Sequence, residues 1–197
     1  KLFFGLFIFP LVITVGMGVF LCAAVLLTHE QDTPENLMAQ LKKSSPSKRW
    51  QKAYELSNEL NRNPNEQTGD SVLKEIISVL VDAQRYDAKT RSYMALALAR
   101  FKSPDSEVAL IAGTHDAAEE VRVHSVWALA SLGAAKAIPE IKSLLKDDSE
   151  SVRKISAYAL GVLSCEDCAA ELRRALKDES PDVRWNSALA LARLGDD

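Results

Sequence analysis

Val121-Arg122-Val123-His124-Ser125-Val126-Trp127-Ala128-Leu129 returns along the chain at a constant interval. Its counterparts are Thr90-Arg91-Ser92-Tyr93-Met94-Ala95-Leu96-Ala97-Leu98, Val152-Arg153-Lys154-Ile155-Ser156-Ala157-Tyr158-Ala159-Leu160 and Val183-Arg184-Trp185-Asn186-Ser187-Ala188-Leu189-Ala190-Leu191. Arg91, Arg122, Arg153 and Arg184 therefore form an evenly spaced ladder. An earlier copy, Lys48-Arg49-Trp50-Gln51-Lys52-Ala53-Tyr54-Glu55-Leu56, stands more than one period before the next. Self-similarity at so short a period marks a solenoid, in which each repeat buries its apolar face against its neighbours. The seventh residue after each Arg is Leu, and the fourth and sixth are mostly Ala. Apolar residues at three- and four-residue steps make an amphipathic helix, and small residues let neighbouring helices approach closely. Gly133 and Gly195 stand where a left-handed helix cap is needed. A further helix is expected before each of these, over residues 69–85, 104–114, 134–146 and 165–177. Two antiparallel helices per repeat, stacked sideways, predict an all-α fold with an α-solenoid of about five helical hairpins over residues 47–197. The period is 31 from residue 91 on.

Asp116, Asp147 and Asp178 form a second ladder of the same period, six residues before the Arg ladder. They fall in the turn between paired helices, where an Asp can cap the second helix. It can also attract the Arg, across the turn or from the next repeat. Both ladders read as structural. The spacing D-x(5)-R-x(6)-L, with helix ends such as Ala128-Leu129-Ala130-Ser131-Leu132-Gly133, resembles the short HEAT-like repeats related to those of phycobilisome lyases. The resemblance covers roughly residues 47–197 and implies protein–protein binding along a curved surface. It bears on architecture far more than on function, because scaffold folds host many roles.

A different signal occupies the N-terminus. Residues 2–27 carry no formal charge and are rich in Phe, Leu, Val and Ile. As a helix this run is about 39 Å long, enough for a hydrocarbon core of roughly 30 Å. It is much longer than the apolar region of a signal peptide, about 7–15 residues. Cys22 follows Phe20 and Leu21, which does not suit a lipoprotein site. The expected organisation is a transmembrane helix at 1–28, a linker and first helix at 29–46, and the solenoid at 47–197. Thr33-Pro34-Glu35 reads as a helix start. The expected topology is a single pass, in contact with the bilayer through residues 2–27, with the repeats outside the cytoplasm favoured slightly. The first residue is Lys1 and the last repeat ends at Asp197 without a polar capping repeat, so further residues or a partner are expected there.

The acid–base balance, 27 acidic against 24 basic residues, offers no footprint for nucleic acid. Cys165-Glu166-Asp167-Cys168 is the one stretch with the form of an active-site motif. A C-x-x-C can be a redox pair, half of a zinc site or a structural disulfide. Alignment by one period sets Cys165 and Cys168 on Ala134 and Ala137, so they also read as small packing residues. No second C-x-x-C is present, and His29, His115 and His124 show no ligand spacing to the pair. Di-iron hydroxylases of HEAT architecture carry repeated His-Glu pairs, whereas His29-Glu30 is the one pair here. No Ser/His/Asp set or glycine-rich phosphate loop occurs. No enzyme, cofactor or metal is expected.

Positions one, five and nine past each ladder Arg fall on one stripe of the second helices, which line the concave side in HEAT-like arrays. Candidate partner contacts there are Trp50, Tyr54, Arg100, Trp127, Tyr158, Trp185 and Arg193, since aromatics and Arg dominate interface hot spots. The fifth column (Tyr54, Leu96, Trp127, Tyr158, Leu189) could instead pack between helices as core. The basic run Lys42–Lys52 reads as a solvated face or a contact to lipid headgroups, and residues 61–69 read as a polar linker. Anchor and solenoid together suggest an accessory subunit that binds membrane-embedded and soluble protein subunits of a larger complex. The stretch Arg49–Leu56 behind an anchor is similar to bacterial membrane HEAT proteins of ABC-type transport systems. The alternative is a membrane-tethered lyase-like or redox protein working through Cys165 and Cys168.

Overall fold

The computed structural model describes residues 4–28, 33–62 and 69–195; within the first segment, side chains are described at residues 5, 7, 8 and 11–23. The chain divides into two compact units, Lys1–Asp32 and Thr33–Asp197.

The first unit holds a π-helical turn, Phe4–Ile8, followed by helix α1, Phe9–Thr28. Residues 11–23 are exposed and almost wholly apolar. The hydroxyl of Thr14 is satisfied inside the helix, donating to the Leu11 carbonyl at 2.9 Å. This described stretch spans about 20 Å as a helix. Among the described residues no helix is long and apolar enough to cross a membrane, so the span expected over residues 2–27 does not follow from the structure.

Among its described residues the second unit holds five helical hairpins. The first helices are α2 (Pro34–Lys43), α4 (Asp70–Val81), α6 (Pro104–Gly113), α8 (Ile138–Ser143) and α10 (Ala169–Ala175). The second helices are α3 (Pro46–Arg62), α5 (Ala88–Leu98), α7 (Glu119–Leu132), α9 (Glu150–Val162) and α11 (Pro181–Arg193). The unit begins at Thr33, whose hydroxyl accepts from the Asn36 amide at 3.3 Å. Helix α2 therefore packs as the first helix of hairpin one, although the sequence pattern groups it with the linker. The linker expected over 61–69 falls mostly on residues 63–68, outside the described ones.

Several first helices are shorter than the periodicity predicts. Helix α4 stops at Val81, and residues 82–87 form a turn in which the Asp82 carboxylate accepts from the Arg85 amide at 3.0 Å. Residues 134–146 break into a 3₁₀ turn (Ala135–Ala137), α8 and a second 3₁₀ turn (Leu144–Lys146). Pro139 sits in the first turn of α8, where its missing N–H costs nothing. The next repeat copies this with a 3₁₀ turn at Glu166–Cys168 before α10.

The regular geometry lies in the second helices, which pack side by side along the whole row, while the first helices touch one another less. The second helices thus form the more continuously packed side of the row. Leu56, Leu98, Leu129, Leu160 and Leu191 are buried at its centre, as are Ala97, Ala128, Ala159 and Ala190. Close approach is most evident at Gly161 in α9, where a Cβ would lie 2.8 Å from the Ala190 backbone of α11.

Candidate functional site

Two sets of side chains rise from this frame, a charged ladder between repeats and an exposed stripe along the second helices. Arg91, Arg122 and Arg153 each reach the Asp of the following repeat. Arg91 pairs with Asp116. Arg122 donates to Asp147 at 3.0 and 2.8 Å, and Arg153 to Asp178 at 2.8 and 3.1 Å. Ladder guanidiniums also hold the carbonyls of their own turn: Arg122 reaches Asp116 and Ala117, Arg153 reaches Asp147 and Asp148, and Arg184 reaches Asp178 and Glu179. Fork-shaped guanidiniums suit this double duty.

The Asp residues do not cap the helices. Asp147 and Asp178 accept from the amides of Ser149 and Ser180, and the two serines cap α9 and α11 through the Val152 and Val183 amides. The Arg153 hydrogen bond holds the Asp178 carboxyl below its ordinary value against the opposing effect of burial. Asp178 likewise raises Arg153. At the position matching Asp116 one repeat earlier the chain has Arg85. There the ion pair is replaced: Arg49 donates to the Arg85 carbonyl at 2.9 Å, and both guanidiniums lie over the Tyr86 ring, at 5.2 and 5.6 Å. The ladder joins successive repeats through mostly buried ion pairs.

The stripe faces outward. Trp185 is 71% exposed, Tyr54 47% and Trp127 38%; Leu189 is also exposed, and Leu96 and Tyr158 are half-buried. No member of the fifth column is fully buried, so it is not the inter-helix core that the sequence allowed; its positions point away from the leucine row. Trp50 is half-buried beneath Lys89, whose Nζ sits 3.4 Å from the ring centroid. Arg193 lies over Tyr158 at 5.5 Å, and Arg100 is half-buried. Tyr93 and His124, two residues past their ladder Arg, are not among the contacts that the sequence pattern predicts. Tyr93 meets Tyr54 edge-on at 5.3 Å and His124 at 6.4 Å, linking three second helices. Burial lowers the His124 pKa, opposed by the Ser92 backbone and Glu120. The available signal was a ring two positions past the Arg in two successive repeats, Tyr93 and His124.

Cys165 and Cys168 form a disulfide, with Cα atoms 5.4 Å apart. Both are buried, and so are Ala134 and Ala137 at the matching positions. Packing and covalent bridging coincide there. The groove beside Cys165, lined by Pro139, Lys142, Glu166 and Asp167, repeats one lined by Pro104, Glu107 and Lys136 a repeat earlier. Among the described residues no group of His, Cys, Asp or Glu is placed to hold a metal ion; His29-Glu30 lies outside them.

A row of stacked hairpins with an exposed aromatic stripe along its second helices suits protein interaction. The chain belongs to the HEAT-repeat family, whose model matches residues 73–161 and 138–197. No curated protein matches the sequence. Among solved structures it is similar to the complex of CpcE and CpcF of phycocyanin lyase from Nostoc sp. PCC7120, at 21% identity and TM-score 0.70. That match covers 86% of this chain and 68% of the other. Human deoxyhypusine hydroxylase matches at 17% identity and TM-score 0.55, covering 83% and 74%. An engineered protein matches at 18% and 0.56, covering 82% and 78%. Identities this low speak to the fold.

Proposed function

We propose that this chain is a membrane-anchored scaffold subunit, which holds a partner protein on the exposed stripe of its second helices. The observation that carries the reading is the exposure of Tyr54, Trp127 and Trp185 along one face of a rigid, ladder-braced row. Large aromatics left in water on a well-packed frame are the composition of a binding surface. The anchor rests on the charge-free run of residues 2–27 and on the exposed apolar face of α1. Its natural context is a complex with membrane-embedded subunits, of which an ABC-type transporter is one form. A disulfide at Cys165–Cys168 suits an oxidising compartment, which favours repeats outside the cytoplasm.

Purification from gentle detergent, comparing wild type with Trp50→Ala/Trp185→Ala, tests this. A stoichiometric partner that is lost or weakened in the double variant is expected; a protein that purifies alone would overturn the reading. Replacing Cys165 and Cys168 together by Ala, the residues of the preceding repeat, should leave partner binding intact. Loss of function with retained folding would point instead to chemistry at the cysteines.

A further inference from the structure

The stripe has a charge pattern at odds with the rest of the molecule. Across the columns one, two, five and nine residues past each ladder Arg there is no Asp or Glu, although the chain has 27. The fifth column is continuously apolar. Cations flank it on both edges, Lys89 and Lys154 towards the helix starts and Arg100 and Arg193 towards the helix ends, while Glu120 and Asp182 share the column of Lys89. Asp182 meets Lys154 at 3.3 Å in an exposed pair of little strength, and in α3 Glu55 and Glu59 are matched by Lys52 and Arg62. Lys89 and Arg193 rest on Trp50 and Tyr158, so the charge is presented on an aromatic bed.

Packed helices lie about 8–10 Å apart, so the apolar column offers a side chain roughly every 9 Å. An extended chain in the polyproline conformation has three residues per turn and rises about 3.1 Å per residue. Every third side chain then faces the same way at about 9.3 Å, in step with the helices. Resting on the scaffold reading above, we propose that the stripe binds an extended acidic segment of a partner protein. The segment carries an apolar residue at every third position to meet the fifth column. Its carboxylates, between the apolar residues, meet the flanking cations.

Fluorescence anisotropy with full-length protein in detergent tests this, using three labelled 12-residue peptides: Leu-Glu-Ser repeated four times, and its Gln and Lys counterparts. The acidic peptide should bind about tenfold more tightly than the neutral one, and the basic peptide should not bind. Its affinity should fall with added salt. Lys89→Glu/Arg193→Glu should abolish the preference, both side chains being exposed and outside the core. Trp127→Ala should weaken the acidic and neutral peptides alike.

Equal affinity for all three peptides would overturn the charge assignment. Tighter binding of a 12-nucleotide single strand would overturn the choice of partner class. If no peptide binds while the co-purified partner still depends on Trp50 and Trp185, the acidic-segment proposal falls and the scaffold stands. If that partner is also indifferent to both tryptophans, the scaffold reading falls with it.

Discussion

Asp178 shows how one carboxylate serves two repeats. It takes the Arg153 guanidinium and turns the chain into α11 through the Ser180 amide. Both members of the pair are mostly buried, so removing one strands the other. Asp178→Asn should destabilise the solenoid by about 1–3 kcal/mol, measured by urea unfolding. Because the folded-state pKa of Asp178 is lowered, its contribution is complete above the unfolded carboxylate value of about 3.9. It is lost as pH falls through the lower folded value. The wild type should therefore lose more stability than Asp178→Asn on acidification below about pH 4; equal losses would count against the assignment. Ser164 is the other telling residue. Its φ is +52°, in the left-handed region, where the flanking repeats have Gly133 and Gly195. A non-glycine residue there costs about 1–2 kcal/mol, of which glycine's greater unfolded-state freedom returns a part. Ser164→Gly should raise stability by roughly 0.5 kcal/mol, seen as a higher urea midpoint.

At the scale of the element, the second helices carry the architecture and the first helices adapt. Gly161 lets α9 and α11 touch backbone to side chain, and a Cβ would meet the Ala190 Cα and Cβ at 2.8 Å. Gly161→Ala gains up to about 1 kcal/mol of helix propensity, but overpacking costs typically about 1–3 kcal/mol. The backbone atom among the contacts cannot rotate aside, so the steric cost wins. The variant should melt lower than wild type, by calorimetry. The matching residue in α7, Ala130, is buried without such a conflict, which shows that the spacing between successive second helices is not uniform. A fixed period made these helices legible, since their Leu column recurs in every copy and their Ala columns in most. The first helices were legible only as existing: Pro139 and the cap-like turns at 134 and 165 divide them in ways that hydrophobic period does not record.

For the whole molecule, the division at Asp32/Thr33 separates an apolar helix from the repeat row. If α1 anchors the protein, charges on its exposed face should dislodge it. Each Arg near the centre of a span costs about 2.5–3.5 kcal/mol on the insertion scale. Val15→Arg/Val19→Arg is expected to move the protein from carbonate-washed membranes to the soluble fraction, while the helical circular dichroism of the repeats persists. Unchanged sedimentation with membranes would remove the anchor from the proposal.

The repeat, the helical class, the leucine core and the two charged ladders were all present in the sequence, because each is a periodic pattern and stacking preserves period. Three matters needed the tertiary structure. Arg122 and Arg153 take as carboxylate partner the Asp of the next repeat, rather than the Asp of their own turn six residues back. The fifth column is exposed at Tyr54, Trp127 and Leu189 and half-buried at Leu96 and Tyr158, rather than core. The cysteine pair is at once buried and bridged. In each case sequence spacing places a residue on a helix face, but only the packing of neighbouring hairpins determines what covers that face.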